Sequence, residues 1–168
     1  RVMALEGPQA YTPQMPVFKD LASRGMLYAR SYGGRQMLVS EGLPGETLAA
    51  PDDTQGEVSM EFVLDVGSQV AQRFPSFAEA GLASSWTGVY DVTPDWQPVI
   101  DRMPGLDGFL CAVGFSGHGF KIAPSVGTAI AELALDGRCA SYDLDLFRFD
   151  RFSAHQSSRS RYGFGIVG

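Results

Sequence analysis

The sequence predicts an α+β fold. An antiparallel-rich sheet spans residues 1 to about 91 and is packed by a helix near 56–74. A strand near 108–114 and a helix near 120–136 follow. Three observations carry this. A Gly-Gly pair separates two strand-like runs. Apolar residues then recur every fourth position ahead of a proline. Later, a continuous apolar run of strand length passes through a glycine-rich loop into a second helical pattern.

The elements follow in order. Val2-Met3-Ala4-Leu5 is a short apolar strand, and Gly7-Pro8 turns the chain. Residues 8–25, with Pro8, Pro13 and Pro16, read as a loop. Met26–Tyr32 and Gln36–Ser40 have strand character, and Gly33-Gly34 supplies the positive φ angles of a tight hairpin. Thr54 and Glu57 have capping-box spacing. Val58, Phe62, Val66, Val70 and Phe74, with Val63 beside them, form one helix face that Pro75 ends. Trp86–Val92 reads as a strand, Thr93-Pro94-Asp95 as a turn, and Val99-Ile100 as a short strand. Phe109–Val113 suits a strand covered on both faces. The second helix carries Ile122, Val126, Ile130, Leu133 and Ala134 on one face. Pro124 is expected in its first turn and Gly137 as its C-terminal cap. The Ser-, Arg- and Gly-rich stretch from Ser153 reads as a mobile tail.

Composition narrows the function. The 168 residues hold 13 Lys and Arg against 19 Asp and Glu, a net charge of −6, which argues against a protein that coats nucleic acid. With 45% hydrophobic and 11% aromatic residues, wholesale disorder is excluded. Cys111 and Cys139 form no disulfide framework. His118 and His155 are the only imidazoles, so no metal site is expected. Cys111 reads as a small buried strand residue. No apolar run approaches the ~20 residues that cross a bilayer. The N-terminus lacks the order of a signal peptide. A cytoplasmic setting without membrane association is the expectation.

One segment carries chemistry. Gly114-Phe115-Ser116-Gly117-His118-Gly119-Phe120-Lys121 joins a strand to a helix start. Free amides and the positive end of the helix dipole favour an anion or an electron-rich group there. Glycines let a ring approach the backbone. Lys121 in the first turn opposes the dipole unless an anion accompanies it. On spacing alone, a functional loop and a plain glycine-rich turn with a solvated lysine weigh evenly. No GxGxxG or GxxxxGK[ST] motif lies within it.

GVYDVTPDWQPVID, followed by GLDGFLCAVGFSGHGFKIAPSVG, resembles the C-terminal part of the D-amino-acid oxidase / sarcosine oxidase (glycine oxidase-like) family of FAD-dependent oxidoreductases. The resemblance spans roughly residues 1–152. It implies a substrate (cap) domain portion over 1–91, the C-terminal part of an FAD-binding domain over 92–152, and a tail over 153–168. It further implies that Ser116, Gly117, His118, Gly119, Phe120 and Lys121 contact the flavin region, that Lys121 also holds a substrate carboxylate, and that Tyr90 lines the substrate cavity. The partner would be a small amine or amino acid whose C–H hydrogen passes as hydride to the flavin, in a sarcosine oxidase- or D-amino-acid dehydrogenase-like reaction. Oxidation of a 2-hydroxy acid in the same family is the alternative, and a non-catalytic α+β interaction module is the other class. His118 is either a proton-transfer group or part of the cofactor-holding loop. Trp86 and Trp96 read as packing residues, and local hydrogen bonding accounts for Asp91 and Asp95.

Departures from the family pattern shape the expectations. Gly88 stands where monomeric sarcosine oxidase has a cysteine joined covalently to FAD, so FAD is expected to be non-covalent. Leu38 stands near the position of the lysine that assists oxygen reduction there, which makes a dehydrogenase plausible. Tyr28 and Arg30 are either substrate-side residues or exposed strand positions. The GxGxxG fingerprint after an N-terminal strand is missing, and it is what holds the pyrophosphate. With Arg1 opening directly onto an apolar run, the chain reads as a fragment that holds the closing strand and helix of an FAD-binding domain whose N-terminal part is absent. Such a fragment is expected to be inactive alone, able to lack FAD, and prone to homo-oligomerise through exposed apolar surface.

Overall fold

A computed structural model describes residues 1–7, 15–42, 47–53 and 58–153. They form two compact units that divide between Val89 and Tyr90.

The first unit is a five-stranded antiparallel sheet with one helix against it. Its strands are β1 (Val2–Glu6), β2 (Phe18–Lys19), β3 (Leu27–Ser31), β4 (Gln36–Glu41) and β5 (Gly81–Trp86), in the order β2-β3-β4-β1-β5. The β3–β4 hairpin turns at Gly33 and Gly34, with φ of 79° and 52°. Tyr32 N donates to Gln36 O at 2.9 Å and Gln36 N to Gly33 O at 3.0 Å. Pairing sets Ala29 opposite Val39, Met3 opposite Val39, and Leu5 opposite Met37. Because strand side chains alternate, these residues share one face. They pack with Leu27 against Phe62, Val66 and Val70 of α1 (Met60–Arg73) and against Phe77. Tyr28 and Arg30 fall on the alternate positions of β3 and are half-buried.

Helix α1 begins four residues later than the pattern near 56 predicts. The Thr54–Glu57 capping box lies outside the described residues. Ser59 is the cap, and its Oγ accepts from Phe62 N at 3.2 Å. Val58 and Val63 flank this cap as a hydrophobic staple would, and both pack on the core. The helix stops at Pro75 as expected, and a 3-10 turn, Pro75–Phe77, follows.

Two strand expectations need correction. Strand character was expected over 86–92, yet β5 ends at Trp86 and residues 87–93 have no regular structure. The strand instead runs through Gly81-Leu82-Ala83-Ser84-Ser85, whose small residues have weak strand propensity. Pairing with β1 imposes it, with an irregularity between Ala4 and Leu5. The predicted loop over 8–25 also holds the two-residue β2, paired with β3.

The second unit has β6 (Val99–Arg102) and β7 (Leu110–Val113), an antiparallel pair, and α2 (Gly119–Asp136). Ile100, Ala129 and Leu133 form its buried apolar cluster, with Leu110, Val126, Ile130, Leu144 and Phe147 packed around it. Strand β7 is not covered on both faces. It pairs only with β6 among the described residues, and Val113 is 51% exposed. In α2, Ala129 takes the buried place expected of Ala134, which is exposed. Pro124 lies inside the helix at its sixth residue, beyond the first turn. Gly137 closes α2 in the left-handed conformation, as predicted. A guanidinium donor of Arg102 caps the carbonyl of Leu133 in the last turns of α2, where cations complement the dipole. Two 3-10 turns follow, Asp145–Phe147 and Phe149–Phe152. The predicted tail, apart from Ser153, lies outside the described residues.

Candidate functional site

The loop between β7 and α2 is held in a conformation that few sequences tolerate. Gly114, Ser116 and Gly117 all have positive φ, at 71°, 51° and 84°. Ser116 in this region is strained, because a Cβ crowds the backbone there. Asp91 offsets that strain. Its Oδ2 accepts from Gly114 N at 2.7 Å and from Phe115 N at 3.3 Å. Its backbone carbonyl accepts from Ser116 N at 3.2 Å. Ser116 is wholly buried. Its hydroxyl donates to Gly114 O at 3.1 Å and accepts from Thr93 N at 3.3 Å. A Cβ on Gly114 would sit 2.3 Å from the Thr93 methyl, so only glycine fits.

Tyr90 and Gly117 come together. A Cβ on Gly117 would lie 3.1 Å from Tyr90 Cζ, so the phenol ring rests on the glycine backbone. This joins the residue that the resemblance places in the substrate cavity to the loop that it places at the flavin. Arg30 and Tyr28 belong to the first unit. The Arg30 guanidinium lies 5.5 Å over the Tyr32 ring, and Tyr32 in turn is 6.2 Å from Trp86.

The start of α2 is electrostatically unusual. His118 is the N-cap residue but makes no side-chain capping bond, and the first turn holds no acid. Phe120, 97% exposed, and Lys121, also exposed, project from that turn. The positive end of the dipole and an ammonium thus share one helix end. Backbone donors and a cation at one helix end suit an anionic or electron-rich group. The loop therefore fits the ring end of FAD. The pyrophosphate end is a different matter. The spacing GxGxxG occurs once, at Gly163-Phe164-Gly165-Ile166-Val167-Gly168, outside the described residues.

Sequence reasoning missed two participants. Asp91 binds the loop 23 residues away rather than its own turn. Asp95 does use local bonds, from Thr93 Oγ1 at 3.2 Å and Gln97 N at 3.1 Å. Its main partner, however, is Arg151, whose Nε and Nη2 reach its two oxygens at 2.8 and 3.0 Å. Burial pushes the Asp95 carboxyl up, but the hydrogen bonds and charge of Arg151, with Gln97 N and Thr93, outweigh it and hold it below the usual range. No spacing in the sequence signals Arg151; the ion pair exists only once the chain has folded. On α2, the Ser141 hydroxyl and amide, the Ala140 amide and Cys139 hold the Glu132 carboxyl down to about 2. Cys111 and Cys139 are both free thiols and half-buried.

Residues 2–133 match the model of the FAD dependent oxidoreductase family, DAO. The chain therefore belongs to this family, whose cofactor is FAD. It is 33% identical over 147 residues to the mouse (Mus musculus) FAD-dependent oxidoreductase domain-containing protein 1, covering 86% of this chain and 29% of that protein. It is 36% identical over 114 residues to N-methyl-L-tryptophan oxidase of Salmonella dublin, covering 65% of this chain and 29% of that protein. Among solved structures, L-proline dehydrogenase from P. horikoshii superposes with a TM-score of 0.76 at 25% identity, over 92% of this chain and 40% of that one. The glycine oxidase of Geobacillus kaustophilus shares the fold, with a TM-score of 0.71 at 20% identity, over 89% of this chain and 37% of that one. The chain thus spans under a third of the length of these curated relatives. Among the described residues, no helix is long and apolar enough to cross a membrane.

Proposed function

We propose that this chain is the C-terminal part of an FAD-dependent oxidoreductase that oxidises a small amino acid at the carbon bearing its nitrogen. On this reading residues 1–91 belong to a substrate domain and residues 92–152 close an FAD-binding domain. The observation that carries it is the α2 N-terminus: its N-cap residue His118 makes no side-chain capping bond, its first turn holds Lys121 and no acid, and Gly117 adjoins it with Tyr90 on its backbone. Bound FAD would supply the hydride acceptor. The chain's own residues do the rest. The backbone of Gly117, His118, Gly119, Phe120 and Lys121 supplies donors toward the electron-rich ring. Ser116 acts from inside by fixing the loop. Lys121 anchors the substrate carboxylate, and Tyr90 shapes the cavity. FAD is held non-covalently at the position of Gly88.

Two of the relatives point to a secondary amine acid, while glycine oxidase is named for a primary one. N-methyl-L-tryptophan and L-proline, the substrates in the names of two of them, both carry their nitrogen as a secondary amine. The test is steady-state kinetics on the intact FAD-loaded enzyme, of which this chain forms the C-terminal part, with an N-alkyl amino acid. Lys121→Met should raise KM for the acid roughly tenfold or more, the loss of one charge-assisted contact of about 1.5–3 kcal/mol. It should leave FAD affinity nearly unchanged. Equal KM values for the two proteins would remove Lys121 from carboxylate binding. A purified protein with no flavin absorbance when supplied with FAD would count against this chain holding the cofactor by itself.

A further inference from the structure

We infer that the buried Arg151–Asp95 ion pair is a latch that positions the 114–119 loop, with Arg151 acting through Asp95 and Thr93 rather than on any ligand. The side chains of Arg151 and Asp95 are 1% and 2% exposed. Arg151 also donates from Nη2 to Gln97 O at 2.7 Å and from Nη1 to Arg148 O at 2.9 Å, and its guanidinium lies 4.1 Å over the Phe152 ring. The guanidinium thereby ties the 3-10 turn at Phe149–Phe152 to the turn at Thr93–Gln97.

From that turn two links reach the loop. Thr93 Oγ1 contacts Asp95, while Thr93 N binds Ser116 Oγ and the Thr93 methyl closes on Gly114. Two residues upstream, Asp91 holds the amides of Gly114, Phe115 and Ser116. The left-handed angle at Ser116 persists only while this scaffold over-determines it. A buried ion pair is poor evidence for stability, since well-packed apolar groups often serve as well. A fixed bidentate geometry is what it adds.

The flavin side of the inference rests on the proposed function; the loop side does not. The test therefore has two arms, on the full chain. In the first, amide exchange is measured in Arg151→Lys, which keeps the charge and loses the fork. The amides of Gly114, Phe115 and Ser116 should exchange roughly two- to thirtyfold faster, while those of β1, β3 and β4 keep their rates. Thr93→Val, which cuts only the hydroxyl link, should move the same amides in the same direction even if the Arg151 variant folds poorly. In the second arm, FAD affinity should weaken in step in Arg151→Lys and stay near wild type in Val70→Ala, a destabilising change in the first unit. Loop amides that exchange at the wild-type rate would overturn the latch. So would an FAD affinity that falls equally in both variants. Absence of FAD binding by the wild-type chain would remove the second arm, and the exchange arm alone would decide the latch.

Discussion

Gly114 and Asp91 show how single residues decide the shape of the loop. Gly114 is left-handed, and a methyl group there would collide with the Thr93 methyl. Gly114→Ala should therefore destabilise the second unit by more than about 1 kcal/mol, read by denaturant unfolding. At this scale the acidic groups also set the pH response. Asp95 and Glu132 both have folded pKa values below their unfolded ones, near 3.8 and 4.5. The stability they contribute is complete above those values and is lost as the pH falls through the folded values, down to about 2 for Glu132. Thermal unfolding should show a midpoint that drops on acidification below about pH 4.5. In Glu132→Gln that drop should be shallower. A midpoint independent of pH across this window would contradict the assignment.

At the scale of elements, α1 and α2 begin in opposite ways. Ser59 caps α1, Glu61 sits in its first turn and Arg73 in its last, the arrangement its dipole favours. Ser59→Ala should cost about 0.5–2 kcal/mol in the unfolding of the first unit. Helix α2 starts at His118, which makes no side-chain capping bond, and has a lysine and no acid in its first turn, the opposite charge order to α1. Sequence spacing located the helices and the β3–β4 hairpin because the periodicities of 3.6 and 2 come from local geometry. It misplaced the start of α1, because a second cap, Ser59, lay closer to the core residues than Thr54. It misplaced β5 as well. Ala83, Ser84 and Ser85 carry no strand signal of their own and become a strand only by pairing with β1.

For the whole molecule, exposed apolar side chains are the feature with a consequence. In the second unit Phe109, Val113, Phe120 and Leu135 are all more than half exposed. Surface of this kind marks places where another chain or domain packs. The isolated chain should therefore self-associate with rising concentration in sedimentation velocity. A single monomer species across the range would contradict this.

The sequence by itself determined the class of fold, the glycine loop leading into α2, and the family, since the motif from Gly88 to Gly127 is local and its residue types are distinctive. Only the tertiary structure decided what holds that loop. Asp91 reaches Gly114 across 23 residues and Arg151 reaches Asp95 across 56. A buried guanidinium and a surface one are written with the same letter. Their difference arises from desolvation and geometry, which exist only when distant segments meet.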